Sequence, residues 1–323
     1  MVGLFVIVAC PKGWEWKMVE IAYRGEADKA RMLALVRAFP AENIHVVDLP
    51  YRLCSWAFDS PANVVLWEDE RGELLAWAAL QSPFWKLDYA LHPAAPPAAH
   101  ATVLAWGNAR AAQLLDTSSG RPSWFVAVMD GQTGRRRDLA VAGFTDQSGG
   151  EEPWSQVLFR RDGRLPVPPA TPRPGFAVRP LRGAAEVAAY VTLHREVFGT
   201  PNMTEAWRRR TLDAPGHRPE FDLVATNAAG ELVGFVIGWW WDGPDGPVAQ
   251  VEPFGVREDA RRYGIAWALM FELLRRLGEA GAAEVRVMTD RYRDAAFAFY
   301  QACDFQIVGD VAIYRRDCAS VDL

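Results

Sequence analysis

Four landmarks recur along the 323-residue chain in one order and at nearly one spacing. Arg24-Gly25 returns as Arg182-Gly183, and Gly72-Glu73-Leu74 returns as Gly230-Glu231-Leu232, both 158 residues later. Gly143-Phe144 is answered by Asp304-Phe305, 161 residues on, and the run VLFRRD from Val157 by AIYRRD from Ala312, 155 residues on. A period of that length is a whole domain, well beyond the roughly 20–50 residues of a solenoid repeat. The chain therefore reads as two copies of one domain, as its length also suggests. Between the copies, RLPVPPATPRPG places five prolines and a glycine in 12 residues. Such a stretch favours extended polyproline geometry and reads as a semi-rigid linker. The expected organisation is an extension over 1–17, a first domain over 18–163, a linker over 164–175 and a second domain over 176–323. Met18, which opens the first recognisable element, is an alternative start to Met1.

Composition narrows the class of function. A net charge of −5, with half the residues apolar and 23% charged, is the balance of a soluble globular protein. A mildly acidic chain argues against nucleic acid or anionic membrane as partner and favours a small molecule. Cys10, Cys54, Cys303 and Cys318 form no CxxC pair and have no matching histidine spacing. Neither a metal site nor a disulfide framework is readable, which points to the reducing cytoplasm. The apolar start, Val2–Cys10, is about half the length of a membrane span and has no basic segment before it, as a signal peptide would.

Each copy gives the same coarse pattern. A short strand (Val19–Tyr23; Ala177–Pro180) precedes an amphipathic helix (Lys29–Ala38; Ala185–Val197). A hairpin across Gly-Glu follows, Val64–Trp67 with Leu74–Leu80 and Leu223–Thr226 with Leu232–Trp241. Then come strand, long helix, strand, helix and a final strand. Strands first and βαβ units after imply an α/β fold with a mixed sheet flanked by helices.

The segment 248–290 carries the chemistry. Val248–Val256 has the apolar content of a buried strand but contains Pro253 and Gly255. Proline lacks a ladder donor and glycine packs nothing, so pairing to a neighbour should fail there and leave backbone groups open to a ligand. Ile265, Leu269, Leu273 and Leu277 recur every fourth residue, marking an amphipathic helix closed by Gly281. Glu284–Thr289 is the next strand, parallel to the first across a right-handed crossover. The helix is entered through Arg261-Arg262-Tyr263-Gly264-Ile265-Ala266. Unpaired amides and the positive end of the helix dipole suit an anion, Gly264 and Ala266 leave room, and Arg261 and Arg262 bring charge. A solvated basic turn on a surface helix would read the same way.

Here the sequence resembles the GCN5-related N-acetyltransferase (GNAT) family. The family's Q/R-x-x-G-x-G/A signature is met by Arg261-x-x-Gly264-x-Ala266, behind a strand ending in Val256. Downstream, the family's N-x-x-A-x-x-x-Y-x-x-x-G-F run is met at Ala296, Tyr300 and Phe305. Arg293 replaces the asparagine, Asp304 the glycine, and Glu258 stands where proline is usual. The resemblance covers residues 176–317. It implies two tandem GNAT-like domains, each a mostly antiparallel sheet with a central parallel βαβ unit. It also implies acetyl-CoA as co-substrate, no metal, and transfer of an acetyl group to the amine of a small molecule. The cofactor would lie on Phe254, Val256, Arg261, Arg262, Tyr263, Gly264, Ile265 and Ala266.

A primary amine of pKa about 10 must lose a proton before attack, and a thiolate of pKa about 8.5 must be stabilised as it leaves. The family places the tyrosine at 300 near the thioester sulfur, where Tyr300 would donate a hydrogen bond or a proton; the alternative is a core aromatic. Alternation puts Gln250, Glu252, Phe254 and Val256 on one strand face, and Glu252 is the candidate base, or else an outward glutamate paired with an arginine. Trp239 and Trp241 share a face and would wall an acceptor cleft or pack the core, with Asp242 or Asp245 attracting a cationic amine. Phe198 lies on the segment that shapes the acceptor pocket in the family. His194 reads as a satisfied helix histidine and Arg208-Arg209-Arg210 as a solvated helix face. In the first copy two prolines, Pro96 and Pro97, stand where the phosphate loop would be, and Leu139 stands at the tyrosine position, so that copy reads as degenerate. Two other functions stay open: a non-catalytic acyl-CoA sensor or interaction module, and acetylation of a sugar-linked cysteine.

Overall fold

A computed structural model describes residues 5–8, 16–149, 153–169 and 171–318, in which the chain forms two compact units. Met1 and Cys10 lie outside the described residues. Elements are numbered in chain order. The first unit takes Met1–Val46, Trp56–Gln156 and Asp310–Leu323; the second takes Val47–Ser55 and Val157–Gly309.

The first unit orders its strands β1 (Phe5–Val8), β2 (Trp16–Ala22), β3 (Val64–Glu68), β4 (Leu74–Gln81), β5 (Lys86–Leu91), β6 (Ser123–Met129) and β14 (Gln306–Asp317). Neighbours up to β5 run antiparallel, β5 and β6 run parallel, and Val311–Asp317 of β14 pairs antiparallel with β6 and, at Tyr314 and Arg315, with the two-residue β7 (Thr145–Asp146). Its helices are α1 (Glu26–Ala38), α3 (Ala99–Leu114) and α4 (Thr133–Val141).

The second unit repeats the plan. Its strand order is β8 (Ser155–Asp162), β13 (Glu284–Asp290), β12 (Gly246–Val256), β11 (Leu232–Gly243), β10 (Asp222–Thr226) and β9 (Ala177–Pro180). The β12–β13 pair is parallel and the β9–β10–β11–β12 series antiparallel. Helices α5 (Val187–Phe198), α6 (Glu205–Leu212), α7 (Ile265–Glu279) and α8 (Asp294–Ala302) surround it, with the short α2 (Leu49–Leu53) from the first copy's sequence. The expected stripe of α7 is buried against the sheet: Ile265, Leu269, Leu273 and Leu277 are each within 1% of full burial. Each such side chain stabilises the fold by roughly 1.5–3 kcal/mol relative to exposure. Gly234 and Gly238 on β11 let the helix approach, since a Cβ at either would lie 3.0 Å from Leu269 or Leu273.

The units cut across the sequence copies. The strand from Val157, the last of the first copy, belongs to the second unit, and β14 from Asp310 onward belongs to the first. The boundaries at 163 and 176 do not follow this exchange. The two RRD strands carry the same residue pattern, and a pattern of period two specifies a strand and its face but not which sheet receives it.

Candidate active site

β12 is bulged at the point where proline and glycine interrupt it. Val236 and Gly238 of β11 face Phe254 and Val251, so two steps on β11 oppose three on β12. The extra residue reverses the alternation. Gln250 opposes Trp239, and Gly255 opposes Phe235, with a Cβ at Gly255 directed into Val197 of α5. Phe254, opposite Val236, packs instead with the α7-side core. The expectation that Gln250, Glu252, Phe254 and Val256 share one face is therefore corrected: the bulge separates the last two from Gln250. A strictly alternating reading cannot register the extra residue.

The bulge coincides with a splay. β12 and β13 pair from Val248 and Glu284 to Val251 and Val287, although β12 continues to Val256 and β13 to Asp290. At the head of the opening, a 3₁₀ turn over Glu258–Ala260 leads into the loop 261–264. Arg262 and Gly264 take the left-handed backbone conformation, φ 67 and 77, and Gly264 is the N-cap of α7 without a side-chain cap. Among the described residues no acceptor meets the amides of residues 262–267. Arg261, Arg262 and Tyr263 are exposed, Gly264 and Ala266 half-buried, and Ile265 buried as the first core residue of the helix. An open run of amides, a glycine without a Cβ and two arginines fit a diphosphate. The strand above it is half-paired, so main-chain groups of β12 beyond Val251 are not taken up by β13, near Phe254 and Val256.

Tyr300, on α8, is 6% exposed, ringed by Phe159, Phe299 and Phe305 at centroid distances of 5.8, 5.7 and 5.9 Å. Burial, and then the Glu252 carboxylate, raise its pKa well above the ordinary phenol value. Asp304, in place of the family's glycine, adopts the positive φ of 64 that the turn needs, and Arg293 sits at the helix N-cap without a side-chain cap.

Glu252 is half-buried, and its main-chain carbonyl accepts from the Trp239 indole at 2.6 Å. Its carboxylate also raises the phenols of Tyr51 and Tyr190, a smaller effect in each than burial. Glu252 thus lies within electrostatic reach of three tyrosines. Trp239 is wholly buried, Trp241 half-buried, and Phe198 lies at the surface against His194. Asp242 accepts from the Trp240 indole at 2.8 Å. Trp239 accordingly packs and positions the strand rather than walling an open cleft.

Two sequence readings are corrected. Arg208 is fully buried: it bonds Asp222 at 2.5 Å and Thr211 at 3.0 Å, and stacks 4.0 Å over the Tyr190 ring. Only Arg209 and Arg210 have exposed contacts of the solvated kind expected. His217 shares Asp222 at 2.9 Å. His194 is buried with no partner for Nδ1, so it is not satisfied, and burial lowers its pKa to about 3.

Tyr51 was not singled out by sequence. It lies on α2, its ring 5.3 Å from Trp207 and 5.9 Å from Trp239, and its carbonyl accepts from the Trp207 indole at 3.1 Å. The segment LPYRL, apolar except for Arg52, has nothing in it that names the unit it joins.

In the first unit the corresponding helix entry is filled from within. His100, at the start of α3, is buried and bonds Asp138 at 3.0 Å and the Tyr89 hydroxyl at 2.9 Å. Leu139 is wholly buried. Among the described residues no cluster of His, Cys, Asp or Glu is arranged to hold a metal ion, and no helix is long and apolar enough to cross a membrane.

Comparison with known proteins bears on this geometry. The profile of the acetyltransferase (GNAT) family matches residues 187–305. An acetyltransferase of Yersinia enterocolitica is 31% identical over 100 residues, 31% of this chain and 67% of its own length. A mycothiol acetyltransferase of Thermobispora bispora is 26% identical over 165 residues, 49% of this chain and 56% of that relative's length. Among solved structures, a tandem GNAT protein from the clavulanic acid biosynthesis pathway superposes with a TM-score of 0.65 at 15% identity, covering 95% of this chain and all of the other, which shows a shared fold.

Proposed function

The chain belongs to the acetyltransferase (GNAT) family, and on that premise we propose that its second unit transfers an acetyl group from acetyl-CoA to the primary amine of a small molecule. The observation that carries this reading is the run of unpaired amides at 262–267, set at the head of the β12–β13 splay. The amides and Arg261 and Arg262 would hold the diphosphate, and the open edge of β12 near Phe254 and Val256 the pantetheine arm. Bound acetyl-CoA supplies the activated acyl carbon and a thiolate leaving group.

The chain's own residues supply the rest. Glu252 accepts the proton that the ammonium must lose before nitrogen attacks, with the bulged strand holding its carboxylate toward the acceptor. Tyr300 donates a hydrogen bond to the sulfur. Its raised pKa makes it a weaker acid than a free phenol, so it acts by holding its proton on the sulfur side rather than by releasing it. Tyr51, Trp239 and Tyr190, all buried, form the aromatic packing that holds the strand segment carrying Glu252. The first unit, with His100, Asp138 and Tyr89 occupying its helix entry, serves as scaffold and does not take the coenzyme.

Equilibrium dialysis with acetyl-CoA, followed by a thiol-release screen over primary amines, tests the reading. Uptake by the wild type, its loss in Gly264→Glu, and thiol release with at least one amine are expected. No uptake overturns it. Uptake without release over the whole panel favours a coenzyme-binding sensor. The likeness to a mycothiol acetyltransferase places a sugar-linked cysteine in that panel.

A further inference from the structure

The described residues on either side of position 170 in the proline-rich segment are docked on the second unit. Arg161, buried, donates to the carbonyls of Leu165 and Pro166 at 3.2 and 3.0 Å and fixes where the strap begins. Near the carboxyl end of α7, the Gly163 carbonyl lies 3.0 Å from the Cβ position of Gly278. At the other end of the same helix, Thr171 and Pro172 come within 3.9 and 3.8 Å of the Cβ position of Gly264. The Arg173 amide donates to the Tyr263 carbonyl at 3.0 Å. Phe176 packs 5.2 Å from the Tyr263 ring, and the Arg173 guanidinium lies 5.6 Å from the same ring. The strap thus ends on the loop whose amides are unpaired.

The charges at that place are unbalanced. Many arginines of the second unit pair with carboxylates, as in Arg179–Glu186, Arg208–Asp222, Arg257–Asp259, Arg275–Glu272 and Arg293–Asp290, while Arg161, Arg195 and Arg218 meet carbonyls or rings instead. Arg173, Arg261 and Arg262 have no carboxylate partner among the described residues, in a chain whose net charge is −5. Coenzyme A carries a diphosphate and, separately, a phosphomonoester on its ribose 3′ carbon. Amides at a helix N-terminus suit the diphosphate, whereas a compact dianion is held best by a guanidinium fork.

We propose that the strap is the outer wall of the coenzyme site and that Arg173 binds the 3′-phosphate of the nucleotide. This rests on the coenzyme reading given above. Pro172 and Pro174 on either side restrict the backbone of the segment, and the hydrogen bond to Tyr263 pins it, so little conformational freedom is lost when the guanidinium engages. The Arg173 guanidinium is exposed beside the Tyr263 ring, 5.6 Å from its centroid, and keeps its N–H donors available to an anion.

Isothermal titration of the full chain with acetyl-CoA and with 3′-dephospho-acetyl-CoA tests this by affinity alone. The wild type should bind acetyl-CoA about 10-fold more tightly, as one charge-assisted contact allows, and the gap should narrow as ionic strength rises. Arg173→Gln, an exposed substitution, should weaken acetyl-CoA to the level of the dephospho compound and leave the latter unchanged. Equal binding of both coenzymes by the wild type, or equal weakening of both by Arg173→Gln, overturns the assignment while leaving the coenzyme site standing. Binding of neither overturns both this assignment and the reading beneath it.

Discussion

The Trp239 indole N–H and the main-chain carbonyl of Glu252 are joined by a 2.6 Å hydrogen bond across the β11–β12 pair, at the bulge where the ladder loses its regular partners. A bulge leaves main-chain groups unpaired, and here one is taken up by a side chain that is itself fully buried. Tyr51 packs on the same indole. The backbone that carries the candidate base is thus held by an aromatic pair, one member of which comes from the first copy's sequence.

Trp239→Phe keeps most of the ring volume and removes the donor. The orphaned carbonyl should cost about 1–3 kcal/mol in denaturant unfolding. If the bond positions Glu252, turnover should fall by roughly tenfold, the equivalent of about 1.4 kcal/mol in the barrier, with coenzyme affinity unchanged. Lower stability with unaltered turnover would confine Trp239 to packing.

Arg208 and Asp222 are both about 1% exposed. Removing one partner strands a charge, so Arg208→Met should destabilise the second unit by about 3–5 kcal/mol. The double variant Arg208→Met with Asp222→Asn should recover part of that loss. The comparison is made by chemical unfolding of the single and double variants, and a double variant as unstable as the single one would refute the stranded-charge explanation.

The repeat, the mixed sheet, the α7 stripe and the open loop before it could all be read from sequence, because each is local: a period, a spacing, a glycine at a helix entry. What could not be read depends on long-range placement. Arg208 belongs to a three-arginine run whose composition resembles a solvated face, and its burial follows from Asp222, 14 residues away. Alternation misplaced Phe254 and Val256 because one inserted residue inverts every side chain beyond it. Tyr51 and the exchanged closing strands are invisible for a related reason: the residues specify an element, while the partner that receives it is set by the whole chain.

His194 links the same region to acid stability. Burial, with smaller repulsion from Arg208 and Arg195, lowers its pKa to about 3, against 6.5 when unperturbed. Above pH 6.5 it is neutral in folded and unfolded chains alike and contributes no pH dependence. As pH falls below 6.5 the unfolded chain binds a proton that the folded chain refuses, so stability is lost, at up to about 1.4 kcal/mol per pH unit, until the folded value is reached. His194→Phe abolishes this loss. Between pH 7 and pH 5 the wild type should lose about 2 kcal/mol more than the variant, and His100, present in both, cancels in the difference. Parallel stability curves would show that His194 is protonated in the folded chain.

Tyr300→Phe separates hydrogen bonding from packing at the thioester. The ring keeps its contacts with Phe159, Phe299 and Phe305, so folding should be unaffected, and the diphosphate loop is untouched, so coenzyme affinity should stay within about twofold, less than 0.5 kcal/mol. Loss of the donor to the departing sulfur should lower kcat by about 10²-fold. The pH profile distinguishes the two ways a phenol acts. Its pKa is raised by burial and by Glu252, so the phenol keeps its proton across the neutral range. The wild-type rate should therefore show no descending limb from this residue up to about pH 10, the ordinary phenol value, and the variant should keep the same profile at a lower level. A limb near pH 8–9 that vanishes in the variant would mean that Tyr300 ionises in the complex and acts as an acid. A variant with full turnover would make Tyr300 a core aromatic.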